Sequence, residues 1–470
     1  MNRTKKLSIL LAVLVVACAI TFVVSRYEVH KEKIQNSDAI VLELSSDTVD
    51  TLSWTCDGQS FAFHKEETWL YDTDEAFPVN QDKITQLLDI FSQFGVAFQI
   101  ESPEDLGQYG LDDPVCTIQM TAEDQSYTVL LGDFSVMDSQ RYVSIGDGNV
   151  YLVQNDPYDF FHVELSDLVD HDEVPSFDQV TSLQFSGTEN WSVTYEEDGS
   201  DTFREDDVYF TNLDGSHLPL DTNRVDDYLQ TLESLALTDY VTYNASQEDL
   251  QTYGLDTPEL TISVDYTAQQ EDGSTSSDTF LLHLSRDPQE QQQAQEQTEQ
   301  DGTVSEDEEI TAYARVGDSQ ILYQISSEDY RALMKASYDD LRHLEVLPAD
   351  FENIAQVDIS LDNTDYTLTT QGSGEDKTYS YQGEEVDIEA FQTAMQDLDA
   401  QSFTGESPTQ KEEISFTVYL DLEGSPSVDI ALYRYDGTYC LAVVDGTPTS
   451  LVLRSAVVDL VEAVHEIVLN

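Results

Sequence analysis

Basic residues are scarce for the length of this sequence. Its 470 residues carry 20 Lys and Arg against 93 Asp and Glu, a formal net charge of -73. Six of the 20 (Arg3, Lys5, Lys6, Arg26, Lys31 and Lys33) fall in the first 33 residues, which leaves 14 for the rest of the chain. So few cations exclude nucleic acid as a partner, because phosphates need basic contacts. They also exclude lying flat on anionic lipid. The acids are interleaved with apolar strand residues and read as solvated surface. Weak capture of cations or of a basic partner is the use that remains for the charge.

Cysteine is scarce too. Cys18 lies in an N-terminal apolar segment, and Cys56, Cys116 and Cys440 are scattered. This is neither a disulfide framework nor a metal-site spacing. A Cys56–Cys116 bridge is conceivable, and spacing alone leaves it open. Active-site signatures are missing: no Walker A loop, no His-Glu-x-x-His, no Gly-x-Ser-x-Gly, no EF-hand loop. Gly146-Asp147-Gly148 joins two strands and reads as a hairpin turn. His171-Asp172-Glu173 precedes Pro175 at a module boundary and reads as an exposed linker. The acidic runs Glu196-Glu197-Asp198 and Glu205-Asp206-Asp207 lack the alternating spacing of a tight calcium loop. We therefore assign no catalytic residue, no metal ligands and no cofactor, and expect a protein that is not an enzyme. The alternatives are a cell-surface hydrolase using paired carboxylates, which needs two carboxyls at a defined separation, and a cation-binding surface protein.

One long apolar run is present. Leu7 to Val24 is 18 residues without a charge, about 27 Å as a helix, close to the thickness of the hydrocarbon core. We read a signal-anchor transmembrane helix over 7–24, a cytoplasmic tail over 1–6 and a polar stalk over 25–38. The acidic remainder is then extracytoplasmic. A cleaved signal peptide and lipidation at Cys18 are the competing readings. The apolar run continues past Cys18 through Ala19, Ile20, Phe22 and Val24, which favours a retained anchor.

The rest of the chain repeats. Ser102 to Pro114 reads SPEDLGQYGLDDP, and Ser246 to Pro258 reads SQEDLQTYGLDTP. An apolar alternating run follows each, with Thr117-Ile118 and Thr261-Ile262. A match this long is an internal repeat. Locally it reads as a short helix with its stop. Ser102 is a candidate N-cap with Pro103 at the first helical position. Gly110 is placed at the left-handed position after the helix, which lets Leu106 meet Leu111 in a Schellman motif. Leu250, Gly254 and Leu255 repeat the arrangement. A binding pair of Tyr109 with Asp112 is the functional reading; a helix stop with a packed tyrosine is the preferred one.

Around the motif the order of elements repeats as well. In each module strands come first, then a helix, the motif, two hairpins and a closing helix. The first helix opens near Asn80, with Ile84, Leu87, Leu88, Phe91 and Phe94 on one face and Gly95 as its stop. The chain is thus expected to be α+β: an N-terminal transmembrane helix followed by three tandem modules of antiparallel sheet packed with helices. The modules span 39–172, 173–346 and 347–470. The third is degenerate, with Gly405-Glu406-Ser407-Pro408 where the motif would stand. Residues 286–309 of the second, rich in Gln and Glu, are expected to be a disordered insertion.

The pairs Tyr109, Gly110, Leu111, Asp112, Pro114 and Tyr253, Gly254, Leu255, Asp256, Pro258 carry a family resemblance, together with the Tyr142…Gly146…Tyr151 hairpin. They are similar to the bacterial membrane-anchored proteins grouped as domain of unknown function 4340. The resemblance covers most of residues 40–345. It implies a single-pass protein of the bacterial cell membrane, with no catalytic residues to carry over. The implied partner is a permease or auxiliary subunit of an ABC-2 type transporter, and the implied role that of an accessory or scaffold.

Overall fold

The computed structural model describes residues 34–36 and 39–469, except 154, 188, 198, 200, 270–272, 302–308, 373–376 and 425. The predicted tail and anchor, and all of the stalk but 34–36, lie outside the described residues. Among the described residues no helix is long and apolar enough to cross a membrane. The chain falls into two compact units, one ending at Asp172 and the other running from Glu173 onward.

The first unit holds one sheet. β1 (Ile34–Asn36) and β2 (Ile40–Leu42) lead into an opening meander of β3 (Val49–Cys56), β4 (Gln59–Lys65) and β5 (Trp69–Tyr71). Helix α1 (Gln81–Asp89) and β6 (Phe94–Ile100) follow, then the first motif. The closing meander is β7 (Cys116–Ala122), β8 (Gln125–Ser135), β9 (Gln140–Ser144) and β10 (Val150–Val153), ended by α2 (Tyr158–Phe161). The strand order is β1-β6-β10-β9-β8-β7-β3-β4-β5, with β2 also on β6. β1 turns three residues of the predicted stalk into an edge strand.

The second unit holds two more sheets. In module 2 the opening meander is β11 (Gln179–Gly187), β12 (Trp191–Tyr195), β13 (Tyr209–Leu213) and β14 (Ser216–Pro219). Then come α3 (Thr222–Glu233), β15 (Tyr240–Thr242) and α4 (Gln247–Thr252). The closing part is β16 (Leu260–Gln269), β17 (Thr275–Arg286), α5 (Pro288–Asp301), β18 (Ala312–Val316), β19 (Leu322–Ile325), α6 (Ser327–Leu333) and α7 (Tyr338–Leu341). Module 3 runs β20 (Ile354–Leu361), β21 (Thr364–Gln371), β22 (Thr378–Tyr381), β23 (Glu384–Val386), α8 (Glu389–Gln396) and β24 (Ala400–Phe403). It ends with β25 (Glu412–Leu420), β26 (Ser427–Arg434), β27 (Tyr439–Val444), β28 (Thr447–Leu453) and α9 (Arg454–Leu469).

One rule generates all three sheets. The first strand of the opening meander pairs antiparallel with the first strand of the closing one: β3 with β7, β11 with β16, β20 with β25. The short strand after the helix covers the far edge, as β6 on β10, β15 on β19 and β24 on β28. Thus the α+β architecture of three antiparallel sheets with helices is what the chain adopts. The pattern behind it is the period of two. β7 buries Cys116, Ile118, Met120 and Ala122, β16 buries Leu260, Ile262, Val264 and Tyr266, and β25 buries Ile414, Phe416, Val418 and Leu420.

Helices cover that apolar face. Phe161 of α2 meets Trp54 of β3 edge-on at 5.3 Å, and Tyr228 of α3 meets Phe185 of β11 at 5.4 Å. In module 3, Phe391 of α8 and Val457, Leu460 and Val464 of α9 join the same cluster as Val357 and Phe416.

Two expectations are corrected. Helix α1 keeps its predicted start, where Asn80 accepts the Lys83 N–H at 2.8 Å. It ends at Asp89, however, and Phe94 and Gly95 open β6, since Phe94, Val96 and Ile100 bury as a strand does. The Gln/Glu-rich segment is not structureless: Pro288 to Asp301 is helix α5. Asp287 caps its start through Gln289 N at 2.9 Å and Glu290 N at 3.0 Å. Glu290 then accepts from Thr311 N at 3.0 Å and Thr311 Oγ1 at 2.7 Å, fastening the helix to the far side of the insertion. Gln and Glu lose little rotamer freedom in a helix, and the Asp287 cap with the Glu290–Thr311 bonds holds the first turn of α5.

Candidate functional site

In both copies the motif closes as a Schellman turn. Leu111 N donates to Leu106 O at 3.2 Å and Gly110 N to Gly107 O at 3.1 Å; Leu255 N donates to Leu250 O at 2.8 Å and Gly254 N to Gln251 O at 3.3 Å. Gly110 has φ 69° and Gly254 φ 72°, a conformation that costs other residues about 1–2 kcal/mol. The stretches before the turns differ. In the second copy Ser246 caps α4 and exchanges bonds with Asp249, as a capping box does. In the first, Ser102 takes φ 49° and only a single 3-10 turn, Gly107–Tyr109, forms. The predicted N-cap at Ser102 is therefore corrected. Gly107 is a poor helix residue, and its N–H is taken by the Asp105 side chain at 2.9 Å. Leu106 is left 40% exposed, whereas Leu250 packs against the cluster of Leu255, Tyr313 and Leu322.

The motif tyrosines lie on the sheet. Tyr109 is buried and its ring meets Tyr142 of β9 at 4.9 Å; Tyr253 meets Tyr313 of β18 at 4.7 Å. Burial, then the Asp287 carboxylate, push the Tyr313 phenol up to about 12. Leu111 and Leu255 are buried, Pro114 and Pro258 half-buried, and Asp112 and Asp256 exposed. All ten positions thus sit where a turn is packed onto the closing meander. A Cβ on Gly110 would lie 2.8 Å from Asp133 N, while one on Gly254 would meet only side-chain atoms, the nearest Pro288 Cγ at 3.1 Å. We expect Gly110→Ala to cost about 2–3 kcal/mol and Gly254→Ala about 1 kcal/mol, read by urea unfolding. Equal costs would mean that the packing of the two turns does not differ as described.

What distinguishes the modules is the connection between the second and third strands of the closing meander. In module 1 it is the tip of the β8–β9 hairpin, where Val136 is 84% and Met137 94% exposed beside a half-exposed Phe134. In module 2 the same connection is α5 and its flanks. In module 3 it is a short turn, Tyr435 to Thr438. The base of the tip is tied down by a buried ion pair. Buried Arg141 donates from Nε to both carboxylate oxygens of Asp156 at 2.8 and 2.9 Å and from Nη1 to Gly132 O at 2.8 Å. Its guanidinium lies 4.5 Å over the Tyr158 ring and 5.7 Å over that of Phe134.

Cys56 and Cys116 face each other across β3 and β7 and are disulfide-bonded. Cys440 is free and buried, and burial, then the Glu413 carboxylate, push its thiol up to about 11, away from the thiolate form that reacts. His171, Asp172 and Glu173 belong to no ligand cluster among the described residues. The cluster that does form joins Asp221, His343 and Glu345, and sequence reading missed it. Its members lie up to 124 residues apart (345 − 221), and each alone looks like an ordinary polar residue.

These features define a class: a tandem α+β repeat protein whose three modules share one sheet plan, whose first two share a packed turn, and which differ in one presented connection. The family model described as Domain of unknown function (DUF4340) matches residues 69–258 and again 211–416, and the chain belongs to that family. Each match runs from one opening meander into the next module, so the shared unit contains a module junction. No curated protein and no solved structure matches the chain.

Proposed function

We propose that the chain is a membrane-anchored, extracytoplasmic accessory protein, not an enzyme, that scaffolds a transport system of the ABC-2 type by binding its permease or companion subunit. The observation that carries the reading is the apolar tip of the β8–β9 hairpin. On a chain of net charge -73, the exposed Val136, Met137 and Phe134 side by side on a base tied down by the Arg141–Asp156 pair support a contact surface. The Cys56–Cys116 bridge supports the location, since such bonds persist in oxidising compartments. The apolar run at 7–24 supports the anchor.

The test is gentle detergent extraction of the tagged full-length protein and mass spectrometry of what accompanies it. A permease and ATPase in stoichiometric yield are expected with the native protein. The Val136→Asp/Met137→Asp double variant should lose them while keeping its melting temperature. An unaccompanied native protein sinks the reading, and a partner retained by the double variant removes the tip from it.

A further inference from the structure

The junction of modules 2 and 3 holds a cluster that the proposed role does not use. His343 Nε2 lies 2.9 Å from Asp207 Oδ1, and the Asp207 side chain is 1% exposed. This bond fixes the imidazole, so that Nδ1 faces Asp221 Oδ2 and Glu345 Oε2, each at 3.8 Å. That is too long for a hydrogen bond. His343 Nδ1 and Glu345 Oε2 are both buried with no hydrogen-bond partner.

The other oxygen of each carboxylate is already held. Asp221 caps α3 through Oδ1, which accepts from Asn223 N at 3.0 Å and Arg224 N at 3.3 Å. Glu345 Oε1 pairs with Arg204 Nη1 at 3.5 Å. Three ligand atoms are thus brought together by the protein at one point, and two of them, His343 Nδ1 and Glu345 Oε2, are buried there without a partner.

We propose that this point binds a divalent transition-metal ion, with zinc the best fit, through His343 Nδ1, Asp221 Oδ2 and Glu345 Oε2. The three atoms lie within 4.8 Å of one another. With two sides of 3.8 Å, an ion at the centre sits about 2.2–2.5 Å from each, a few tenths of an ångström from zinc distances. An imidazole nitrogen among the ligands favours zinc over calcium or magnesium, which take oxygen cages. Asp207 behind the imidazole is the outer carboxylate that orients metal-binding histidines. Charge agrees as well. Asp207, Asp221 and Glu345 outnumber Arg204, and Asp399 adds to the negative field at Glu345, so the surroundings favour a cation.

The ion would couple the two modules. Asp221 belongs to module 2, while Glu345 is bridged through its backbone to Asp399 just before β24 of module 3. The same linker is stitched to module 2 by Arg204 Nη2 on Leu347 O at 3.1 Å and by Glu205 N on Asp350 Oδ2 at 3.2 Å. Loading would therefore stiffen the junction, and no reaction is implied.

The test uses full-length protein stripped with chelator and titrated with zinc, manganese and calcium chlorides. We expect one zinc per chain at micromolar affinity or tighter, weaker manganese, no saturable calcium, and a melting temperature several degrees higher with zinc. The variants are Asp221→Asn, which caps a helix as well as Asp, and Glu345→Gln. Asp221→Asn should keep the metal-free melting temperature, Glu345→Gln should lower it by releasing Arg204, and both should lose zinc affinity at least tenfold and with it the zinc-dependent rise. Zinc uptake equal in native and variant proteins would place binding on the acidic surface and overturn the proposal. So would no zinc uptake at all.

Discussion

Replacing Cys56 and Cys116 together by alanine is expected to lower the melting temperature of the first unit by roughly 15 °C and to leave the second where it is. The bridge closes a loop with a sequence separation of 60 residues, for which loss of chain entropy in the unfolded state amounts to about 4 kcal/mol. In a unit of this size each kcal/mol moves the midpoint by roughly 3–5 °C. The alanine pair avoids leaving two polar thiols in the core, since both sulfurs lie on the buried face of β3 and β7. Calorimetry separates the effect, because Cys56 and Cys116 both belong to the unit ending at Asp172. A fall of only a few degrees, or equal shifts in both transitions, would mean that the bridge does not hold the first sheet closed. The same variant speaks to location: protein made in a reducing compartment should resemble it, and exported protein should not.

The closing meanders were legible because they obey one rule over long runs. β7, β16 and β25 alternate cleanly between apolar and polar residues, and their turns carry Gly, Asp and Asn. The strands that follow the helices were not legible. In β6, Phe94 continues the helical spacing of Leu87 and Phe91, and Gly95 looks like a helix stop. Only pairing with β10 makes that segment a strand, and pairing is not a local property. β15 and β24 are short segments with no periodicity to read. The motif shows the same division. Its Schellman turn follows from Gly110 and Gly254 alone, whereas the helix before it depends on Gly107 in one copy and Gln251 in the other. The His343 cluster is the extreme case. Asp207 reads as one acid in the run Glu205-Asp206-Asp207, and only the fold brings it to a histidine 136 residues on.

Arg141→Leu is expected to cost about 3–5 kcal/mol, although the change adds apolar surface to a buried site. Arg141 is 8% exposed and its partner Asp156 nearly as buried. Removing the cation strands the carboxylate in the protein and leaves Gly132 O without its donor, and breaking a buried pair from one side costs more than the pair contributes. Asp156 has one further bond, from Tyr158 N at 3.0 Å, which cannot balance its charge. Arg141→Lys should recover only part of the loss, because a lysine has no planar fork to reach both Asp156 and Gly132. Asp156→Asn makes the argument decisive. In that background the acid is already neutral, so Arg141→Leu should cost at least 1 kcal/mol less than it does alone. Additive costs would show that Arg141 acts through packing on Tyr158 and Phe134 and not through its charge. Because the pair lies at the base of the β8–β9 hairpin, the Leu variant should also shed the proposed partner with Val136 and Met137 intact. Partner loss without any substitution in the tip would tie binding to the way the tip is held as well as to its composition.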